Sequence, residues 1–193
     1  MKNGNIDQRM GLACSFAILF ALTGIARADD TLVANPVYQS WAKFKPGTTV
    51  EYSTETNMMG NATSMEITQT LKEVNADKAT IEVKMSLLVA GSKTEMPAAT
   101  REIPVLMKPV DPAATQTSDV PETETATESV QAAGKMYSCK KTTVTSDANG
   151  MITKSITWTR DDMPGTIVKT VAETAGSGMT MSSKMILTDF EPK

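Results

Sequence analysis

From Thr48 onward the chain alternates apolar and polar residues with a period of two. Val50, Tyr52 and Thr54 take one side while Glu51, Ser53 and Glu55 take the other, which is the pattern of a strand with one face buried and one face wet. After the turn signal Gly60-Asn61, Met65, Ile67, Gln69 and Leu71 alternate with Glu66, Thr68, Thr70 and Lys72. Asn75 to Lys78 supplies the next turn. Ile81, Val83, Met85, Leu87 and Val89 then make the clearest apolar face in the chain, with Glu82, Lys84 and Ser86 turned to water. Gly91-Ser92 reverses the chain again, and Lys93 to Leu106 predicts a fourth strand. Pro97 and Pro104 cannot donate ladder hydrogen bonds, so this strand belongs at an edge. The rhythm resumes with a strand over Lys135 to Ser146, and Asn149-Gly150 is a strong two-residue hairpin signal. Met151 to Arg160 returns with Ile152, Ile156 and Trp158 on one face. Thr166 to Thr174 and Met179 to Phe190 follow, parted by Gly176-Ser177-Gly178. About eight strands joined mostly by short turns predict a mainly β fold, a strongly twisted antiparallel meander of which an open half-barrel is one form.

Two segments break the rhythm. Asn35-Pro36 reads as an N-cap followed by proline at the first helical position, and Tyr38, Trp41 and Phe44 recur at helical spacing until Pro46-Gly47. This predicts one short N-terminal helix that lays three aromatics on the domain. Lys108 to Ser129 is rich in Thr, Pro and Glu and poor in large apolar groups. Such composition buries too little surface to offset the entropy of ordering, so a flexible polar insertion is expected over 108–129.

The N-terminal residues change the setting of this domain. Lys2 and Arg9 precede an apolar run from Met10 to Leu22, and Ala26-Arg27-Ala28 closes it with small residues. The order is that of a secretory signal peptide over 1–28, cleaved after Ala28, which leaves a single β-rich domain over 29–193. The apolar run is shorter than the ~20 residues of a comfortable membrane span, so no membrane-spanning segment is expected after cleavage. An exported protein, periplasmic or extracellular, is the consequence.

Charge and composition then remove whole classes of function. The chain has 19 Lys and Arg against 22 Asp and Glu, and the leader takes away three basic residues and one acidic residue. The acidic remainder has no basic block with interleaved aromatics, so no nucleic-acid partner is expected. The chain contains no histidine. Histidine is the usual general base for serine and cysteine nucleophiles and the commonest metal ligand, so these chemistries are excluded. Of the two cysteines, Cys14 lies in the leader, and Cys139 is expected to be a buried structural thiol with no intrachain partner.

The stretch Ser155-Ile-Thr-Trp-Thr-Arg-Asp-Asp-Met-Pro-Gly-Thr166 sets adjacent carboxylates, Asp161 and Asp162, between two strands. Carboxylate pairs serve glycoside hydrolysis only when held apart across a substrate, and neighbours on a strand point to opposite faces. Met163-Pro164-Gly165-Thr166 fits a type II turn, in which proline sets the first central φ and glycine supplies the positive φ of the second. The segment therefore reads as a structural corner in which Trp158, Pro164 and Gly165 carry the fold, and no catalytic residue is expected.

Two pieces of the second half, Gly134-Lys135-Met136-Tyr137-Ser138-Cys139-Lys140 and Trp158 followed by Asp162-Met163-Pro164-Gly165-Thr166-Ile167-Val168-Lys169, resemble secreted bacterial β-proteins of the TapB-like type. In these a strand with a central Cys precedes a Trp-bearing strand and a Pro-Gly-led final hairpin. The opening Gly47-Thr48-Thr49-Val50-Glu51-Tyr52 is similar to the start of such domains. The resemblance implies no catalytic residue. A looser likeness is to lipoprotein-carrier half-barrels of the LolA/LppX type, whose curved antiparallel sheet cups an apolar cargo. This chain departs from them in its few aromatics and its long polar insertion.

The methionines are the remaining candidate chemistry. Met179, Met181 and Met185 stand close together in the last strand, and thioethers are soft ligands suited to Cu(I). Flexible apolar residues also repack around a lipid or another hydrophobic small molecule. The expected function is thus a non-enzymatic binding or envelope protein that holds a hydrophobic ligand on a curved sheet and uses no cofactor. A Met-based Cu(I) protein is the alternative.

Overall fold

The computed structural model of the protein describes residues 32–89, 92–109, 122–148, 150–176 and 178–193. The expected signal peptide lies outside the described residues. The chain forms β1 (Val33–Ala34), α1 (Pro36–Trp41), β2 (Thr49–Met58), β3 (Asn61–Val74), β4 (Lys78–Val89), β5 (Ser92–Glu95), β6 (Ala99–Pro104), β7 (Leu106–Met107), β8 (Glu122–Ala132), β9 (Lys135–Ala148), β10 (Met151–Thr159), β11 (Ile167–Gly176) and β12 (Met179–Glu191). All the ladders are antiparallel. The main sheet runs β5-β4-β3-β2-β12-β11-β10-β9-β8, with β6 also on β4, and it does not close into a barrel. The expected mainly β meander with one small helix is therefore observed.

The strand count exceeds the expected eight for local reasons. Lys93 to Leu106 lies at the edge as its prolines require, but it splits at Met96–Ala98 into β5 and β6, which follow one another along β4. β1 and β7 form a separate two-residue ribbon. The third difference is a correction. Part of the expected polar insertion, residues 122–129, is the start of strand β8, paired with β9 from Glu122↔Thr145 to Ala132↔Lys135. An edge strand exposed over Glu122–Ser129 needs no apolar alternation, because its order comes from the ladder with β9 and from buried Val130 and Ala132 at its end. Residues 110–121 lie outside the described residues.

Helix α1 starts as its sequence requires. The Asn35 side chain accepts hydrogen bonds from the N–H groups of Val37 (3.0 Å) and Tyr38 (3.4 Å), and its amide donates to Pro104 O at 2.9 Å, so one residue both caps the helix and ties it to the sheet. The helix ends at Trp41, sooner than the aromatic spacing suggested. Phe44 lies in the following turn, its ring meeting Phe190 edge to face at 5.7 Å.

Ladder partners share a face, and the registers show that the core changes sides. One row of paired residues runs Leu187, Tyr52, Ile67, Met85, and the adjacent row runs Lys141, Trp158, Lys169, Ile186, Ser53, Glu66, Ser86. Tyr52 and Ser53 are sequence neighbours, so Tyr52 and Trp158 stand on opposite faces. The first half buries the Tyr52 face, including Val50, Ile67, Leu71, Ile81 and Leu187, with α1 and the 160–166 turn packed over it. The second half buries the Trp158 face, with Val130, Tyr137 and Cys139. There β8 curls back to touch β11 and β12, and the Ala133 N–H donates to Leu187 O at 3.1 Å. Strand β11, where the sides exchange, is half-buried at most positions on both faces. Bulges at Leu71/Glu73, Trp158/Thr159 and Leu187/Asp189 supply the added local twist that such coiling needs.

The Asp161-Asp162 corner has the expected form. The Thr166 N–H donates to Met163 O at 3.0 Å, Gly165 has φ +72°, and Met163 and Pro164 are buried. The Gly165 N–H donates to Ser40 Oγ at 3.0 Å, and the Tyr52 hydroxyl donates to Ile167 O at 3.1 Å. These bonds clamp the turn and α1 together over the first core.

Candidate functional site

A broad concavity lies on the uncovered face of the first half. Strands β2, β3 and β4 place Ser53, Glu66 and Ser86 in one row and Glu51, Thr68 and Lys84 in the next. β5 then brings Glu95 opposite Ser86 and Lys93 opposite Leu88. Met96, whose N–H donates to Met85 O at 2.9 Å, and Ala98 complete the wall where the edge strand breaks. The groove encloses about 840 Å³. Its floor is an ion-pair chain in which Glu66 Oε2 accepts from Lys93 Nζ at 2.7 Å and from Ser86 Oγ at 3.3 Å. The hydrogen bond from Lys93 holds the Glu66 carboxyl below its ordinary range and in return pushes the Lys93 ammonium up. Glu51, Glu95 and Lys84 supply further charges of both signs. Ser86 was expected to face water, and it lies on the predicted face but is buried. Alternation reveals which side a residue takes and is silent about what an edge strand folds over it.

Trp158 sits at the centre of the second core. The Lys169 and Lys141 ammonium groups lie 4.6 and 5.5 Å from the indole centroid, and Lys141 also pairs with Glu128 at 2.7 Å. The lysine stems cover the ring while their charges stay near water. The indole Nε1 is buried without an acceptor in hydrogen-bond geometry. Cys139 is buried in the same core, its Sγ donating to Tyr137 O at 3.6 Å, and burial pushes the thiol up and away from a reactive thiolate.

The remaining sequence candidates do not converge. Asp162 accepts from Arg160 Nε at 2.7 Å, and this guanidinium holds the carboxyl below its ordinary range. The Asp161 side chain is exposed, and its backbone oxygen takes the Lys43 ammonium. Met179 is exposed at a hairpin tip, Met181 is half-buried, and Met185 is buried in the row of Thr54 and Met65. At ~3.3 Å per strand residue, Met179 and Met185 are roughly 20 Å apart. Three thioethers so spread cannot close on one Cu(I). Among the described residues, no group of three or more Cys, Asp or Glu is placed to hold a metal ion, and no helix is long and apolar enough to cross a membrane.

The fold and its groove define an open antiparallel β-sheet with a split core and a polar trough. No protein-family model matches the chain, and no curated protein matches it in sequence. Among solved structures, the crystal structure of a candidate lipoprotein from Parabacteroides distasonis is similar, with 11% identity and a TM-score of 0.45, over 76% of this chain and 96% of that one.

Proposed function

We propose that the protein is an exported, non-enzymatic binding protein of the cell envelope whose ligand site is the groove between β3, β4 and the β5 edge. The observation that carries this reading is the groove itself. Its volume of about 840 Å³ falls within the range of small-molecule sites, ~300–1,000 Å³, and its floor holds a built ion pair, Glu66 with Lys93. The leader supports export, and the absence of histidine supports a binding role over catalysis. A hydrophobic cargo needs an open apolar cavity. Here the apolar faces are covered by α1, the 160–166 turn and the curl of β8, while the groove is lined by Glu51, Glu66, Glu95, Lys84 and Lys93. The ligand expected is therefore polar and carries charge of both signs, as a free amino acid or short peptide does.

Amide chemical-shift mapping of the mature chain tests this, with free amino acids and short peptides as probes and a fluorescent fatty acid in a parallel titration. Saturable shifts at Glu66, Ser86, Lys93 and Met96 are expected with a polar probe and should vanish in Glu66→Gln. Saturable binding of the fatty acid, with no polar probe moving those amides, would return the protein to the carriers of apolar cargo.

A further inference from the structure

Strand pairing gathers methionines that stand far apart along the chain. Met181 on β12 lies directly opposite Met58 on β2, and side chains so paired have Cβ atoms about 4.5–5.5 Å apart. Met179 precedes Met181 by two residues, opposite Gly176, and so shares its face. It is the diagonal neighbour of Met58, at the ~7–8 Å that long side chains bridge. The β2–β3 turn brings a fourth thioether to this end of the sheet, because the Met59 N–H donates to Thr180 O at 3.2 Å and holds the turn against the start of β12. Met185 pairs with Thr54, further along β12, and drops out of the group.

Core packing does not account for these side chains. Met163 and Met185 are buried and fill the core as flexible apolar residues do. Met58, Met59 and Met179 are exposed, Met59 by 63%, and Met181 is half-buried. Backbone preference does not account for Met59 either. With φ +51° at Met59 and +84° at Gly60, the turn has the two positive φ values of type I′, whose first position favours Asn, Asp or Gly. Methionine has no such tolerance of positive φ.

We propose that Met58, Met179 and Met181 form a binding site for Cu(I), with Met59 at its rim. Thioethers are soft donors that suit Cu(I), whereas imidazole and carboxylate suit divalent ions. The chain has no histidine, and Cys139 is buried in the second core, so among the described residues no imidazole or exposed thiol competes for the ion. The donors are drawn from the ends of two neighbouring strands and reach solvent, so the site takes up and gives back its ion without opening the fold. It lies on the Tyr52 face of β2, opposite the Ser53 face that carries the groove, and neither site needs the other.

Anaerobic titration of the mature chain with Cu(I) tests the proposal, read from the ε-methyl signals of protein labelled with carbon-13 in its methionines. A single equivalent should bind saturably and shift the methyls of Met58, Met179 and Met181, while those of Met136, Met163 and Met185 stay in place. Ag(I), a soft monovalent ion without the redox chemistry of copper, should give the same pattern, and Zn(II) should give none. Loss of an outer partner alone costs a metal site ~10–100-fold in affinity, so Met58→Leu and Met181→Leu, each removing a donor, should weaken Cu(I) binding at least about tenfold. Leucine keeps the apolar volume, and urea melts should show both variants folded. Met136→Leu, which changes an exposed methionine on β9, should bind as the native chain does. Absence of any saturable shift, shifts spread over Met136 as well, or unchanged affinity in Met58→Leu and Met181→Leu would each overturn the proposal. So would an equal response to Zn(II).

Discussion

Replacing Gly165 separates backbone strain from packing at the corner that joins the two halves of the sheet. Gly165 has φ +72°, and its N–H is held by Ser40 Oγ. A Cβ built there would lie 3.7 Å from Trp41 Nε1 and 4.0 Å from the Tyr52 hydroxyl, ordinary contact distances, so alanine meets no clash. Its cost is then the left-handed conformation alone, about 1 kcal/mol. Valine has the same φ problem with a β-branched side chain that adds methyls against Trp41 and Tyr52, and should cost about 2 kcal/mol or more. Asparagine is as bulky as valine but tolerates positive φ, so it should cost less than alanine. Urea melts decide the order. With a slope of about 2 kcal/mol per molar, the alanine midpoint should fall by roughly 0.5 M, the valine midpoint by roughly twice that, and the asparagine midpoint by less than either. If asparagine and valine are equally damaging and alanine is mild, size rules the site and the backbone argument is refuted.

Trp158→Ala should destabilise the protein by about 3–5 kcal/mol, since it empties the centre of the second core; a loss under about 1 kcal/mol in the same melts would place the indole outside the core. Stability should also fall in acid. The carboxyls of Glu66, Glu128 and Asp162 lie below their ordinary range through hydrogen bonds from Lys93, Lys141 and Arg160, so the folded chain binds fewer protons than the unfolded one near pH 4. Their contribution is complete above about pH 5 and is lost as pH falls through the lowered folded values. A urea midpoint that holds or rises between about pH 5 and pH 3 would contradict these pairings, and Arg160→Gln should flatten part of the decline.

The candidate site was only half legible in the sequence. Glu66, Lys84 and Ser86 were recognisable as one side of adjacent strands, because period-two alternation assigns faces wherever one face is buried. That Lys93 and Glu95 stand beside them on the same face comes from the pairing of β5 with β4, and the prolines marked an edge strand without marking its break at Met96–Ala98. Met179, Met181 and Met185 are near in sequence, yet an extended backbone spreads them apart, so the apparent thioether cluster does not survive the geometry.

What the sequence determined by itself was local: the strands, the Asn35-Pro36 helix start, the Pro164-Gly165 corner and the exclusion of histidine chemistry. Each rests on a preference that a few neighbouring residues express through φ, ψ or side-chain period. Only the tertiary structure decided that the core changes sides at β11, because both faces of that strand are half-buried and nothing in its pattern tells which neighbour covers which face. Tertiary pairing also ordered Glu122–Ser129, whose composition offers no apolar face of its own. An edge strand draws its stability from the ladder of its partner, β9, and that contact is made between residues far apart along the chain.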